Sequence, residues 1–131
     1  MWSDDRGAAG IATAAVAGLV LLFTVALVVI AGAQVARLRA TTAADAAALA
    51  AAPVTFLPFG AAGSPADEAA RFARLNGAAL VSCDCPVDRS FAVRSVTVRV
   101  RVTVEVPLVG GIEAEATGRA EFAPAALLGG T

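Results

Sequence analysis

The chain opens with apolar positions that are continuous rather than periodic. From Ile11 to Ala33 it reads IATAAVAGLVLLFTVALVVIAGA, without a charge. At about 1.5 Å per helical residue, roughly 23 residues cover roughly 35 Å, enough to cross a bilayer core of about 30 Å. A transmembrane helix is predicted over 11–33, behind an N-terminal tail, 1–10. The pattern then changes without a break. Residues 34–52 are mostly alanine, the best helix former. No helix breaker other than Gly18 and Gly32 lies between Ile11 and Pro53. One helix is therefore expected from about residue 8 to residue 52, its second half an alanine-rich extension. Pro53, with no N–H and a ring that opposes continuation, ends it. Along the extension Val35, Leu38, Thr42, Asp45 and Leu49 recur at alternating spacings of three and four and share one stripe.

Beyond Pro53 the signals are those of a small domain. Residues 53–64 form a loop punctuated by Pro and Gly. Ser64 can cap a second helix, with Pro65 at its first position and Asp67 and Glu68 in its first turn; Asn76-Gly77 stops it. The period then shortens to two. Ala79 to Cys83 reads as a short strand. From Val93 to Val106 the valines at 96, 98, 100, 102, 104 and 106 alternate with Thr97, Arg99, Arg101, Thr103 and Glu105, which makes a long half-buried strand. Pro107 to Gly111 is a turn. The run IEAEATGRAEF then alternates again, with Glu113, Glu115, Thr117, Arg119 and Glu121 on its polar face. Paired antiparallel, Arg99 and Arg101 would oppose these acids. The expected fold class is α+β: a membrane helix extended as a rod, then one short helix on a three-stranded antiparallel meander over 65–123, ending in a frayed tail, 124–131.

Composition supports the membrane reading and narrows the chemistry. Of 131 residues, 58% are hydrophobic, and the mean hydropathy is +0.76, higher than an ordinary soluble domain. Formal net charge is -1, so neither a nucleic-acid footprint nor a polybasic membrane patch is indicated. All ten basic residues are Arg, and His, Lys and Tyr are absent. The commonest general base and metal ligand is thus missing, as are the partners of Ser/His, Ser/Lys and Cys/His nucleophiles. No enzymatic activity, cofactor or small-molecule substrate is expected.

Several residues stand out as candidate sites. Gly18 and Gly32, each with an alanine four residues away (Ala14 and Ala36), are small positions that let membrane helices approach closely. Ala31-Gly32-Ala33 before Gln34 fits a small-x-small signal-peptidase site, so secretion after cleavage at Ala33 is a rival reading. Asp45 has no Arg three or four residues away. It is either solvated, or part of a helix restart in which Thr42-x-x-Asp45 forms a capping box, or an assembly contact for an Arg of the following helix or of a neighbouring subunit. Cys83-Asp84-Cys85 offers structural thiols, a disulfide within or between chains, or a soft-metal site. A closed zinc site is unavailable without His or a second Cys pair. The basic residues near the apolar run, Arg6 on one side and Arg37 and Arg39 on the other, place the Arg37 side in the cytoplasm by the positive-inside rule, with a margin of one Arg.

The order of these features carries a resemblance. Asp5-Arg6-Gly7-Ala8-Ala9, an apolar helix, Ala36-Arg37-Leu38-Arg39-Ala40 and the run from Ala43 to Ala52 together resemble the TadE-like proteins of actinobacteria. In particular they resemble the group encoded beside a helicase and secretion genes. Asn76-Gly77-Ala78-Ala79-Leu80-Val81-Ser82-Cys83, a valine-alternating strand and a Gly-Arg-Ala ending resemble the same group. The resemblance covers most of the chain and implies a pilin-like or pseudopilin-like component of a tight-adherence (Tad) pilus or type II/IV-like secretion system. It implies a single-pass protein of the cell membrane with its N-terminus cytoplasmic and its distal domain outside, opposite to the Arg count. It also implies other pilin-like or secretion-system subunits, or further copies of the chain, as partners. Prepilin-like processing would fall between Gly7 and Ala8. The Glu that such precursors carry five positions beyond the cleaved Gly is here Ala12, which points to an anchored accessory rather than a polymerising subunit. The alternatives are a membrane-anchored adaptor with a partner-binding β-domain and a secreted protein beginning at Gln34.

Overall fold

The computed structural model describes residues 4–58 and 63–129. Its elements are α1 (Asp4–Val54), α2 (Pro65–Leu75), β1 (Ala79–Asp84), β2 (Arg94–Val106) and β3 (Gly110–Phe122), followed by a 3-10 turn, Pro124–Leu128. The strands form one antiparallel sheet in the order β1-β2-β3. The architecture is the expected α+β arrangement of a long helix, a short helix and a meander.

α1 is one helix of 51 residues, about 76 Å long at about 1.5 Å per residue. It begins at Asp4, so most of the expected N-terminal tail, 1–10, is helical. Extending an existing helix is far easier than nucleating one, and no Pro interrupts these residues. The helix also runs unbroken through Thr42 and Asp45, which removes the capping-box restart; the Thr41 hydroxyl, beside it, donates back to Arg37 O like any in-helix Thr. Pro53 sits in the last turn, and the helix stops one residue later, at Val54. There the Thr55 hydroxyl donates to Ala52 O at 2.6 Å, the same carbonyl that Thr55 N–H reaches at 3.2 Å as the helix closes.

The alanine extension is the core of the distal domain rather than a spacer leading to it. Ala36, Ala40, Ala43, Ala44, Ala47, Ala48, Ala51 and Ala52 are all buried, a run with the helical repeat. From Ala40 onward they lie against Val96, Val98, Val100, Val102 and Ala120 of the sheet and Ala69 and Ala73 of α2. The interior is therefore built from small side chains, with the buried valines of β2 supplying on the order of 2 kcal/mol each. At Gly118 in β3 the approach is closest. A Cβ there would overlap the main-chain carbonyl of Ala44 and lie 2.7 Å from Asp45 N. Only a glycine lets the strand pass under the helix backbone at that point.

α2 follows its local signals. The Ser64 hydroxyl accepts from Asp67 N–H at 3.1 Å and donates to the Asp67 carboxylate, Pro65 takes the first position, and Gly77 turns the chain out at φ +73°. Ala69 and Ala73 face inward. In β1 a bulge between Leu80 and Ser82 leaves Val81 unpaired. The β2–β3 register sets Arg101 opposite Glu115, bonded at 2.7 Å, but Arg99 opposite Thr117. Only one of the two arginines thus meets an acid across the strands. Of the tail expected to fray, 124–131, residues 124–129 are folded, and 130–131 lie outside the described residues. Pro124 is fully buried, Pro124–Leu128 forms a 3-10 turn, and Gly129 at φ +71° closes it.

Gly118→Ala is expected to lower stability by about 2 kcal/mol or more, because the clash is with main chain that cannot rotate away. Gly63→Ala, at an open position, should leave it unchanged. Thermal unfolding of the full chain in mild detergent checks both, and equal midpoints would refute the close approach.

Candidate membrane and assembly surfaces

α1 divides into two halves with different surroundings. From Gly7 to Val28 every residue is exposed, and its most apolar stretch is wholly unburied. It is long and apolar enough to cross a membrane. Isolated in water, such a surface would carry Ile11, Leu19, Leu21, Leu22, Phe23 and Leu27 bare, far more contiguous apolar area than a soluble monomer shows. Gly7 and Ala8 lie near the start of this half, exposed and helical. Gly18 has open space around it, so a neighbouring helix meets no obstacle there.

Gly32 is different, because its open side is already filled. A Cβ on Gly32 would meet Val106 Cγ2 at 2.5 Å and Ile112 Cδ1 at 3.5 Å. The glycine expected to receive another helix instead receives the β2–β3 hairpin of its own chain. Ala33 is half-buried and Gln34 exposed, both within the unbroken helix. A cut after Ala33 would separate Gly32 from the domain whose Val106 it seats.

On the extension, the stripe Val35, Leu38, Thr42, Asp45, Leu49 faces away from the sheet. Leu38 is 69% and Leu49 66% exposed. The periodicity that the sequence displays most visibly is thus the outer face, and the inner face is the alanines between. Asp45 is exposed and forms no ion pair with a described residue. It meets no Arg of α2.

Cys83 and Cys85 are joined by a disulfide across Asp84, with Cα atoms 5.4 Å apart. Both are half-buried against the core. Among the open alternatives for this pair the structure takes the intramolecular disulfide. Closing so short a loop restricts the unfolded chain modestly, by about 1–2 kcal/mol.

The residue that sequence reasoning passed over is Arg94. It is 9% exposed and anchors the loop before β2 to the end of α1. Its Nη1 donates to Thr55 O at 3.1 Å and Asp88 O at 2.9 Å, its Nη2 to Ser90 O and Ala92 O, and its guanidinium lies 5.8 Å from the Phe56 ring centre. A rigid fork of N–H donors suits four carbonyls converging from two segments, which a lysine could not serve. Beside it Asp88 N–H donates to Thr55 O and Leu57 N–H to Asp88 O, a parallel bridge about Phe56. The Ser90 hydroxyl and N–H hold the Asp88 carboxyl below the usual carboxylate range. The signal was present: Arg94 stands two residues before Val96, in phase with the inward valines.

Shallow depressions lie along Leu19, Leu22, Phe23 and Ala26 and at Leu57, Pro58 and Arg89. Neither gathers a nucleophile with a base. Among the described residues no group of three His, Cys, Asp or Glu is placed to hold a metal. No protein-family model, curated protein or solved structure matches the chain.

Arg94→Met is expected to cost about 2 kcal/mol, since it removes the donors that tie the loop carbonyls to the end of α1, and Arg94→Lys about 1 kcal/mol. Urea unfolding of the full chain in detergent measures both; losses under about 0.5 kcal/mol, the range of ordinary surface changes, would show that the fork is not structural.

Proposed function

We propose that this protein is a membrane-anchored, non-enzymatic, pilin-like structural or accessory component of an envelope assembly of the TadE-like, Tad or type II/IV-like kind. Its N-terminus is cytoplasmic and its distal domain lies outside. The observation that carries this reading is the division of α1. One rigid helix has a bare apolar half suited to a bilayer and to neighbouring helices, and a second half clasped by a small domain that it holds at a fixed distance. Nothing in that division serves a reaction; it serves anchoring and presentation.

Three further observations support the reading. The Cys83–Cys85 disulfide suits an oxidising compartment, which favours an external distal domain over the one-Arg margin of the positive-inside count. The exposed ridge of Val35, Leu38 and Leu49 continues the apolar surface beyond the bilayer, where a subunit of the same assembly or a second copy can cover it. The seating of Val106 on Gly32 disfavours release by cleavage after Ala33. The lack of an acid in the membrane half, with Ala12 where a prepilin would carry Glu, favours an accessory over a polymerising subunit.

Intact-mass analysis of the protein from its own cell membranes and growth medium tests the anchoring. A membrane-bound chain, whole or lacking residues 1–7, is expected. A soluble form beginning at Gln34 would overturn the proposal in favour of a secreted protein. Assembly is tested separately with Leu38→Cys and Leu49→Cys in native membranes. Oxidative cross-linking to another subunit or a second copy is expected at both, and purely monomeric protein, with export partners assembling normally in its absence, would leave only the adaptor reading.

A further inference from the structure

Between Val106 and Ile112, which seat on Gly32, the β2–β3 turn is exposed from Pro107 to Gly111 and buries nothing of its own, and its composition is unlike the rest of the meander. The strands carry a charged or hydroxyl side chain at nearly every outward position, yet Val106 to Ile112, VPLVGGI, carries neither. Leu108 is 98% exposed and Val109 49%. Leu108 also takes φ +71°, a left-handed conformation uncommon for a residue with a branched side chain. The fold thus holds a large apolar side chain outward, at some backbone cost, where Asn or Gly would serve the turn better.

Its position along α1 gives a reason. Val106 seats on Gly32, and Ile112 reaches the same point. The turn extends two residues further, on the order of 5 Å toward the N-terminal end of the helix, or about one helical turn. That brings it level with Val28 to Ile30, and Val29 is half-buried while its neighbours are bare. The densest apolar window, Ile11 to Ile30, is about 20 residues, or about 30 Å, the thickness of a hydrocarbon core. The tip and the end of that window therefore coincide. Glu105 and Glu113 lie just behind it on the outward face, exposed, and mark where water or headgroups must begin.

We propose that the tip, Pro107 to Gly110, inserts into the hydrocarbon–headgroup boundary of the same bilayer that α1 crosses, on the side of the distal domain, with Leu108 as the inserted anchor. The inference rests on the membrane-crossing reading of α1. The flanking acids make the contact apolar rather than electrostatic, so zwitterionic lipid suffices. The consequence is a second attachment point: the domain is fixed to the bilayer by helix and hairpin together, which sets its height and its rotation about α1.

The test uses the full chain in phosphatidylcholine nanodiscs, disulfide intact, with one spin label at a time on Leu108→Cys, Val109→Cys, Thr103→Cys or Val20→Cys. Collisions with oxygen report lipid and collisions with a nickel chelate report water. The expected result is an oxygen-to-nickel ratio at Leu108 several-fold above that at Thr103 and below that at Val20, with Val109 following Leu108. A water-like ratio at Leu108 and Val109 beside a lipid-like ratio at Val20 would overturn the tip insertion and leave the anchor standing. A water-like ratio at Val20 would overturn the membrane-crossing reading, and the insertion with it.

Discussion

The fold depends on how closely a helix backbone can lie on a sheet. Alanine on the inward face of α1 and valine on β2 keep the two layers thin, and Gly118 removes the last obstacle by passing beneath the Ala44 carbonyl. Larger side chains on the helix would lift it off the sheet along its whole length, because the strand and helix are both stiff and meet over several turns. The alanine content therefore reads in two ways at once. It makes a continuous helix from apolar half to domain by propensity, and it makes the domain possible by size. A leucine-rich extension would satisfy the first requirement and fail the second.

That close approach is pinned at both ends. Toward the bare apolar half of α1, Gly32 takes Val106 and Ile112. At the far end, Arg94 draws Thr55, Asp88, Ser90 and Ala92 around a single guanidinium. Between these points the contact is almost wholly apolar and made by small groups, so it offers little to fix the register of helix against sheet. The two pins supply it. One is steric, a notch that accepts a branched side chain, and the other is directional, a fork of donors. Together they make the domain rigid with respect to α1, and a rigid attachment lets the depth of the helix in a bilayer set the height of everything beyond it.

Much of this was legible in the sequence. The continuous helix, the capped second helix, the strand periods and the meander all follow from local pattern, and each was found within a few residues of where it was expected. What local pattern did not disclose was which face of the extension is buried. The eye takes the larger residues Val35, Leu38 and Leu49 as the inner stripe, since apolar residues usually point inward. Here the inner stripe is alanine, which has little hydrophobic contrast with its neighbours, and the choice is made by how thin the helix must be. The same lack of contrast hid the role of Gly32, which looks like a helix-packing glycine until the hairpin is placed on it. Arg94 was hidden differently. A charge at the start of a strand reads as a solvated end, and only the phase of the valines after it shows that it points inward. The start of α1 and the Pro124 turn were missed because short, low-contrast stretches at chain ends carry no periodicity to read.

The outward ridge of the extension gains meaning from this inversion. Had Val35, Leu38 and Leu49 packed against the sheet, α1 would leave the bilayer with a polar alanine-threonine back and nothing for a neighbour to hold. Because alanine satisfies the domain, the larger residues remain free on the opposite side, in line with the bare half of the helix. A partner helix lying along that side would find one apolar seam running from the bilayer past its surface, interrupted by Asp45. In a seam of this kind a lone acid adds little affinity, yet it penalises every alignment that leaves it without a donor, and so selects register. The residue thus fits the proposed assembly as a device of alignment rather than of strength, and the alanines opposite it are the reason the seam is available.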